Sequence, residues 1–317
     1  MPRDSGVAAE RRARERRKGV GAAIETLDVR TADEWSLRAD IREPGQRPVG
    51  VAVLAHALMS RRTEFDRPTG AGLASFLVER GWRVVAFDFR GHGDSRRAPP
   101  HGSGYTYDDL VARDLPAVCA FARSRAARGR PVLVVGHSVG GHTALAAQGT
   151  GAIAVQGIVG LGASPWLPQL EPSRARWALK RATLAAAGSV CRRLGRFPAR
   201  ALRLGSDDVA RGCFDDLQRF ARTGAWTSAD GCADYLASLA LVRIPVLQVV
   251  SEGDRVECAP ACGERLAARC GGPHEVVRIA HSDDGGPPPG HMGLVLSGRV
   301  RSAWERIEAW MRARIVP

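Results

Sequence analysis

Lysine is almost absent from this 317-residue sequence, which holds only Lys18 and Lys180. The net charge of +13 is therefore carried almost wholly by arginine. A skew of this kind reflects coding composition as much as any use of guanidinium chemistry. No aromatic-interleaved basic patch, zinc-finger spacing or RNA-binding signature accompanies it, so no nucleic-acid partner is expected. The densest basic run, Arg11 to Lys18, falls within residues 1–22, which read as a solvated tail. No apolar run reaches the ~18 residues that a membrane-crossing helix needs. The polar, arginine-rich stretch from Met1 to Gly21 also lacks the apolar core of a secretory signal. The expected location is the cytoplasm. Seven cysteines make an odd number, and Cys258, Cys262 and Cys270 contain no C-x2-C pair. Free thiols and no metal site are expected.

What is present is enough apolar residue, 44%, to bury a substantial core. Val132 to Val135 is a continuous β-branched and leucine run, the pattern of a strand covered on both faces. It ends in Gly136-His137-Ser138-Val139-Gly140-Gly141, and helix-favouring residues follow from Thr143 to Gln148. So short a turn between strand and helix requires glycine at close approaches and a strained backbone at the serine. G-x-S-x-G in this setting is the pattern of a nucleophile elbow, with Ser138 Oγ lifted off the sheet and the Val139 amide beside it.

Further units surround this one. Ala23–Val29 and Trp35–Ile41 read as an antiparallel edge hairpin. Val49–Ala55, Trp82–Phe87, Ile153–Leu161, Ile244–Val250 and Glu275–Ala280 read as buried strands. Helices alternate with them: one presents Leu73, Phe76 and Leu77 on a single face, one runs from about Asp108, its cap, to Arg128, and one from about Arg299 to Arg314. This alternation predicts an α/β fold with a mostly parallel, eight-stranded sheet and right-handed crossovers. Residues 165–240 break the rhythm with a stretch rich in Arg, Ala and Leu. They read as a helical lid inserted into a core of residues 23–164 and 241–317. Nine basic residues and no acid lie between Arg174 and Arg203. Trp166, Trp177 and Trp226 of the lid suit either an acyl pocket or ordinary packing.

A serine nucleophile needs a base, an acid that orients the base, and amide donors for the oxyanion. Asp254, just past the strand 244–250, is the expected acid, with Glu252 in reserve. His291, in Gly290-His291-Met292-Gly293, is the expected base, and His281 is the alternative. The loop His56-Ala57-Leu58 is expected to supply the second oxyanion amide, from Leu58 or else Ala57. His137 and His142 read as packing or hydrogen-bonding residues, and Arg90 to Gly93 as loop architecture.

The elbow, the stretch Asp88 to Ser95, a strand leading to Asp254 and a late Gly-His together resemble the α/β-hydrolase superfamily over roughly residues 23–317. Pro289 to Trp310 is also similar to the polyhydroxyalkanoate synthase and depolymerase-like branch. Those synthases carry cysteine where this chain has Ser138, which favours hydrolysis. Many members have His-Gly where this chain has His56-Ala57. The resemblance implies a serine hydrolase of the carboxylesterase, lipase or thioesterase type. Its triad would be Ser138, Asp254 and His291, its oxyanion amides Val139 and Leu58, its substrate a small acyl ester or thioester, and it would need no metal or organic cofactor. Acyl transfer on the same triad, or a non-catalytic binding role for the same fold, are the alternatives.

Overall fold

The computed structural model describes residues 24–97, 104–296 and 298–316. The basic tail expected over residues 1–22 lies outside them. Eight strands form one sheet: β1 (Ile24–Arg30), β2 (Trp35–Arg42), β3 (Val51–Ala55), β4 (Arg83–Phe87), β5 (Val132–His137), β6 (Gly157–Leu161), β7 (Val246–Ser251) and β8 (His274–Ile279). Their spatial order is β1-β2-β4-β3-β5-β6-β7-β8, and a two-residue strand, Arg96–Arg97, also pairs with β2. β1 and β2 form the expected antiparallel hairpin and β2 meets β4 antiparallel, while every other pairing on that path is parallel.

The strands are apolar on both faces, and the period of two sorts their side chains into two cores. Val51, Val53, Val132, Val134 and Ile158 face one side. There they pack against α2 (Leu115–Arg125) and α3 (Val139–Gly149) through Leu115, Val118, Ala144 and Leu145. Ala52, Leu54, Leu133, Val135 and Val159 face the other side. There they meet α1 (Leu73–Glu79) and α7 (Arg301–Ile315) through Phe76, Leu77, Trp304, Ile307 and Met311. Burying side chains of this size stabilises the fold by about 1.5–3 kcal/mol each. The strand expected over 153–161 is shorter. Ile153 and Val155 are buried from the loop before β6 and form no ladder.

The segment between β6 and β7 carries α4 (Arg174–Leu194), α5 (Arg211–Thr223), a short helix Tyr235–Ser238 and a small ribbon pairing Arg196–Phe197 with Val209–Ala210. It is anchored by residues that the sequence suggested for other tasks. Asp108 does not cap the helix after β4. Thr106 does, in a reciprocal box with Asp109, because its side chain stands one position before the first helical residue. The Asp108 carboxylate instead accepts from Tyr235 Oη at 2.7 Å and Ala229 N at 2.7 Å. Trp226 is fully buried against Tyr107, His142 and Tyr235, so it packs the insertion onto α3. Past β7 follows α6 (Pro260–Ala267), which contains Cys262 and begins after Cys258.

The elbow depends on one close approach. A Cβ placed on Gly140 would stand 2.1 Å from the carbonyl oxygen of Ala55, at the end of β3. Backbone cannot yield there as a flexible side chain would. Gly140→Ala is therefore expected to cost about 1–3 kcal/mol and to lower the thermal midpoint by several degrees. Gly45→Ala, where a Cβ meets nothing within 4 Å, should leave it unchanged. Equal midpoints in a calorimetric scan would contradict this account of the turn.

Candidate active site

Ser138 is the single residue between β5 and α3. Its φ of 53° and ψ of −117° belong to neither element, and its amide donates to Leu161 O of β6 at 2.9 Å. The side chain is partly exposed, whereas the residues on either side are buried. Val139 opens α3, so its N–H has no carbonyl four residues back to bond. This amide and the Ser138 hydroxyl stand at the same strand end.

The loop after β3 is the one expected to carry a second amide donor. His56 Nδ1 donates to Ala57 O at 2.7 Å, while its Nε2 accepts from Phe89 N at 3.0 Å. One neutral tautomer satisfies both bonds, and burial pushes the imidazole pKa down in agreement with it. Ala57 N–H donates to Glu64 Oε1 at 3.1 Å and is committed there. Leu58 N–H has no hydrogen-bond acceptor among the described residues. Alanine in place of glycine at 57 does not strain the loop, because the left-handed residue of the turn is Met59, at φ 63°. The insertion closes over this turn. Ser206 N and Asp207 N both donate to Met59 O, and Arg61 holds the Asp207 carboxylate at 2.8 Å.

Asp254 and His291 meet. Nδ1 of His291 lies 2.5 Å from Oδ2 of Asp254, whose other oxygen accepts from Cys258 N at 3.0 Å. Burial pushes the Asp254 carboxyl up, but the hydrogen bond and charge of His291 outweigh it and hold the carboxyl below its ordinary value. The His291 ring lies over Gly162, where a Cβ would stand 3.1 Å from Nδ1, and Gly162 directly follows the Leu161 that bonds Ser138. Among the described residues Ser138 Oγ forms no hydrogen bond with His291. In substrate-free sites such bonds are often long and tighten only around substrate. Glu252 and His281 are exposed, and neither bonds Asp254 or His291 among the described residues. His142 is buried with its pKa pushed down to about 3, and Tyr107 Oη lies 2.8 Å from its Nδ1.

Beneath these residues runs a buried chain that the sequence reading did not anticipate. Glu64 Oε1, besides accepting from Ala57, lies 3.2 Å from His137 Nδ1. His137 Nε2 in turn lies 3.2 Å from the carbonyl oxygen of His291. Both ring nitrogens face acceptors, so both bonds are made together only when each nitrogen carries a hydrogen. Burial pushes the Glu64 carboxyl up, yet the charge and hydrogen bond of His137 bring it below its ordinary value. One carboxylate thus ties the Ala57–Leu58 loop, the elbow and the His291 loop together. Nothing in Arg61-Arg62-Thr63-Glu64 marks it, because charged residues after a strand ordinarily face solvent. Removing a partner from buried polar groups costs roughly 1–3 kcal/mol for each group left unsatisfied. Glu64→Ala should therefore lower the thermal midpoint clearly, and Glu252→Ala, at an exposed position, should not. Similar midpoints for the two variants would show that the chain does not bind the loops together.

Comparison with known proteins agrees with this architecture. The family model described as the alpha/beta hydrolase family matches residues 52–299. A non-heme haloperoxidase from Rhodococcus erythropolis is 38% identical over 99 residues, 30% of this chain and 32% of that protein, so the match spans about a third of the relative. Among solved structures, the esterase EaEST from Exiguobacterium antarcticum aligns with a TM-score of 0.58 at 17% identity, over 91% of this chain and 100% of that one. The alpha/beta hydrolase GrgF from Penicillium sp. sh18 aligns with a TM-score of 0.62 at 14% identity, over 92% and 99%. At such identities the structural likeness speaks for the fold. The family match, which covers most of the described chain, says more: this protein belongs to the alpha/beta hydrolase family.

Proposed function

We propose that the protein is a serine hydrolase that cleaves a carboxylic ester or thioester through an acyl-enzyme. Ser138 is the nucleophile. His291, oriented by Asp254, takes the proton from Ser138 Oγ as the oxygen attacks the acyl carbonyl. The amides of Val139 and Leu58 receive the developing oxyanion, each donor contributing about 3–4 kcal/mol of transition-state stabilisation. His291 then returns the proton to the leaving alcohol or thiol. In the second half it takes a proton from water as that oxygen attacks the acyl carbonyl, the bond to Ser138 Oγ breaks, and His291 returns the proton to Oγ, freeing the acid and Ser138. Each step draws on side chains and amides of this chain. Residues 165–240 act as a lid over the strand ends, where ligands bind in open α/β sheets.

The observation that supports this reading most is the 2.5 Å bond between His291 Nδ1 and the buried Asp254, made beside the strained turn at Ser138. It leaves the other nitrogen of His291 free for the serine. The esterase among the structural neighbours is in keeping with an ester substrate.

Hydrolysis of short p-nitrophenyl esters tests the assignment. Ser138→Ala should abolish turnover, and His291→Ala should lower kcat by at least about 10²–10⁴-fold. His281→Ala should stay within twofold of the parent. Loss of activity in His281→Ala with retention in His291→Ala would overturn the choice of base, and unchanged turnover in Ser138→Ala would overturn the mechanism.

A further inference from the structure

The outer face of α4 is unlike the rest of the surface. Its inner face is made of Lys180, Leu184, Gly188 and Cys191, one helical turn apart, and all are buried. One flank of the solvent side brings Leu179, Ala186 and Val190 into line by the same periodicity, and all three are exposed. Of the eight large hydrophobic residues exposed among the described ones, five lie between positions 179 and 204: Leu179, Val190, Leu194, Leu202 and Leu204. Leu179 is 51% exposed, Leu194 56% and Leu204 63%. Exposed leucines scattered singly need no explanation, but such a concentration on one segment does.

The charge on this segment has one sign. The stretch from Arg174 to Arg203 holds nine basic residues and no acid. Arg176 and Lys180 pair with Glu171, and Arg196 pairs with Asp208. The guanidinium groups of Arg174, Arg181, Arg193, Arg200 and Arg203 have no carboxylate partner among the described residues, although the Arg200 backbone N–H donates to Asp208 Oδ1 at 3.0 Å. On the other flank of α4, toward α5, lies an open groove of about 590 Å³. Ala178, Ala182 and Leu184 line it together with Arg181, Arg192 and Arg222, and no carboxylate is among the lining residues. Among the described residues Arg192 is held by neutral groups, Ser189 Oγ at 3.1 Å and Gln218 Oε1 at 3.4 Å.

We propose that this face docks on the surface of an anionic lipid bilayer. Apolar side chains on the outer line of a helix, flanked by guanidinium groups, match the two layers of such a surface. Leu179, Val190 and Leu194 enter the acyl boundary, and the arginines meet the phosphates. The groove, lined by alanines, Leu184 and arginines, seats one headgroup with the start of its chain. Nucleic acid would be drawn by the same arginines but would have no use for the leucines. The docking concerns the outside of the insertion and holds whether or not Ser138 is the nucleophile.

Co-sedimentation of the full chain with vesicles tests this. Vesicles of 70% phosphatidylcholine and 30% phosphatidylglycerol should pellet the protein at least tenfold better than phosphatidylcholine alone, and 0.5 M NaCl should remove most of that difference. Leu179→Glu with Val190→Glu, both at exposed positions, should lower binding at least tenfold at an unchanged thermal midpoint. Arg181→Ser with Arg222→Ser should lower it severalfold. Failure to pellet with anionic vesicles would overturn the proposal. So would binding that ignores the leucine substitutions, because that assigns the attraction to charge elsewhere, as in Arg11 to Lys18. Retention on a DNA duplex that depends on Arg181 and Arg222 but not on Leu179 and Val190, with no vesicle binding, would reassign the face to nucleic acid.

Discussion

Ser138 holds a backbone conformation, φ 53° and ψ −117°, that costs an L residue about 1–3 kcal/mol and persists only where its surroundings over-determine it. Here the surroundings are the packing of α3 onto the sheet. Gly140 touches the carbonyl end of β3, so the first turn of α3 and the strand end must lie in contact. The Ser138 amide is held by Leu161 of β6. The turn is thus clamped between the two strands that flank β5, and the rest of the site is arranged by that clamp. β3 runs on into the loop of Leu58, and β6 runs on into Gly162, against which the His291 ring packs. Two flanking strands therefore bring the Leu58 loop and the seat of the His291 ring to the same serine.

Polar groups then lock the loops to one another. Glu64 receives the Ala57 amide and pairs with His137, which reaches the His291 carbonyl. His56 joins the same loop to the end of β4. Arg61 carries the linkage outward to Asp207 of the insertion. Glu64, His137 and His56 are buried, and the loss of any of them would leave a partner unsatisfied, so the loops resist independent movement. Preorganised donors of this kind need little rearrangement when charge develops on a bound acyl group.

Much of this was legible in the sequence because it rests on local rules. Continuous β-branched runs alternating with helical periods announce a parallel sheet. Glycines at 136, 140 and 141 around a serine announce a tight strand–helix turn. Distance from the strand end and flanking glycines single out Asp254 over Glu252 and His291 over His281, and Asp254 and His291 are the pair that hydrogen-bonds. What was not legible depends on contacts distant in sequence. Glu64 reads as a surface acid, yet it is buried because His137, seventy-three positions later, stands opposite it. Asp108 reads as a cap, but Thr106 is better placed and Tyr235 and Ala229 claim its carboxylate. Trp226 reads equally as pocket lining or as packing, and only the ring cluster with Tyr107 and His142 decides for packing. Likewise the arginines from 174 to 203 are plain in the sequence, whereas the exposure of the leucines among them is not, because a long helix in a lid could bury either face.

The central claim is that Ser138 is a nucleophile made reactive by this geometry. Labelling the purified protein with a fluorophosphonate, followed by peptide mass mapping, tests it most directly. The account predicts a single adduct on the peptide that carries Ser138, absent from Ser138→Ala. Absence of any adduct, or one that survives Ser138→Ala, would contradict it.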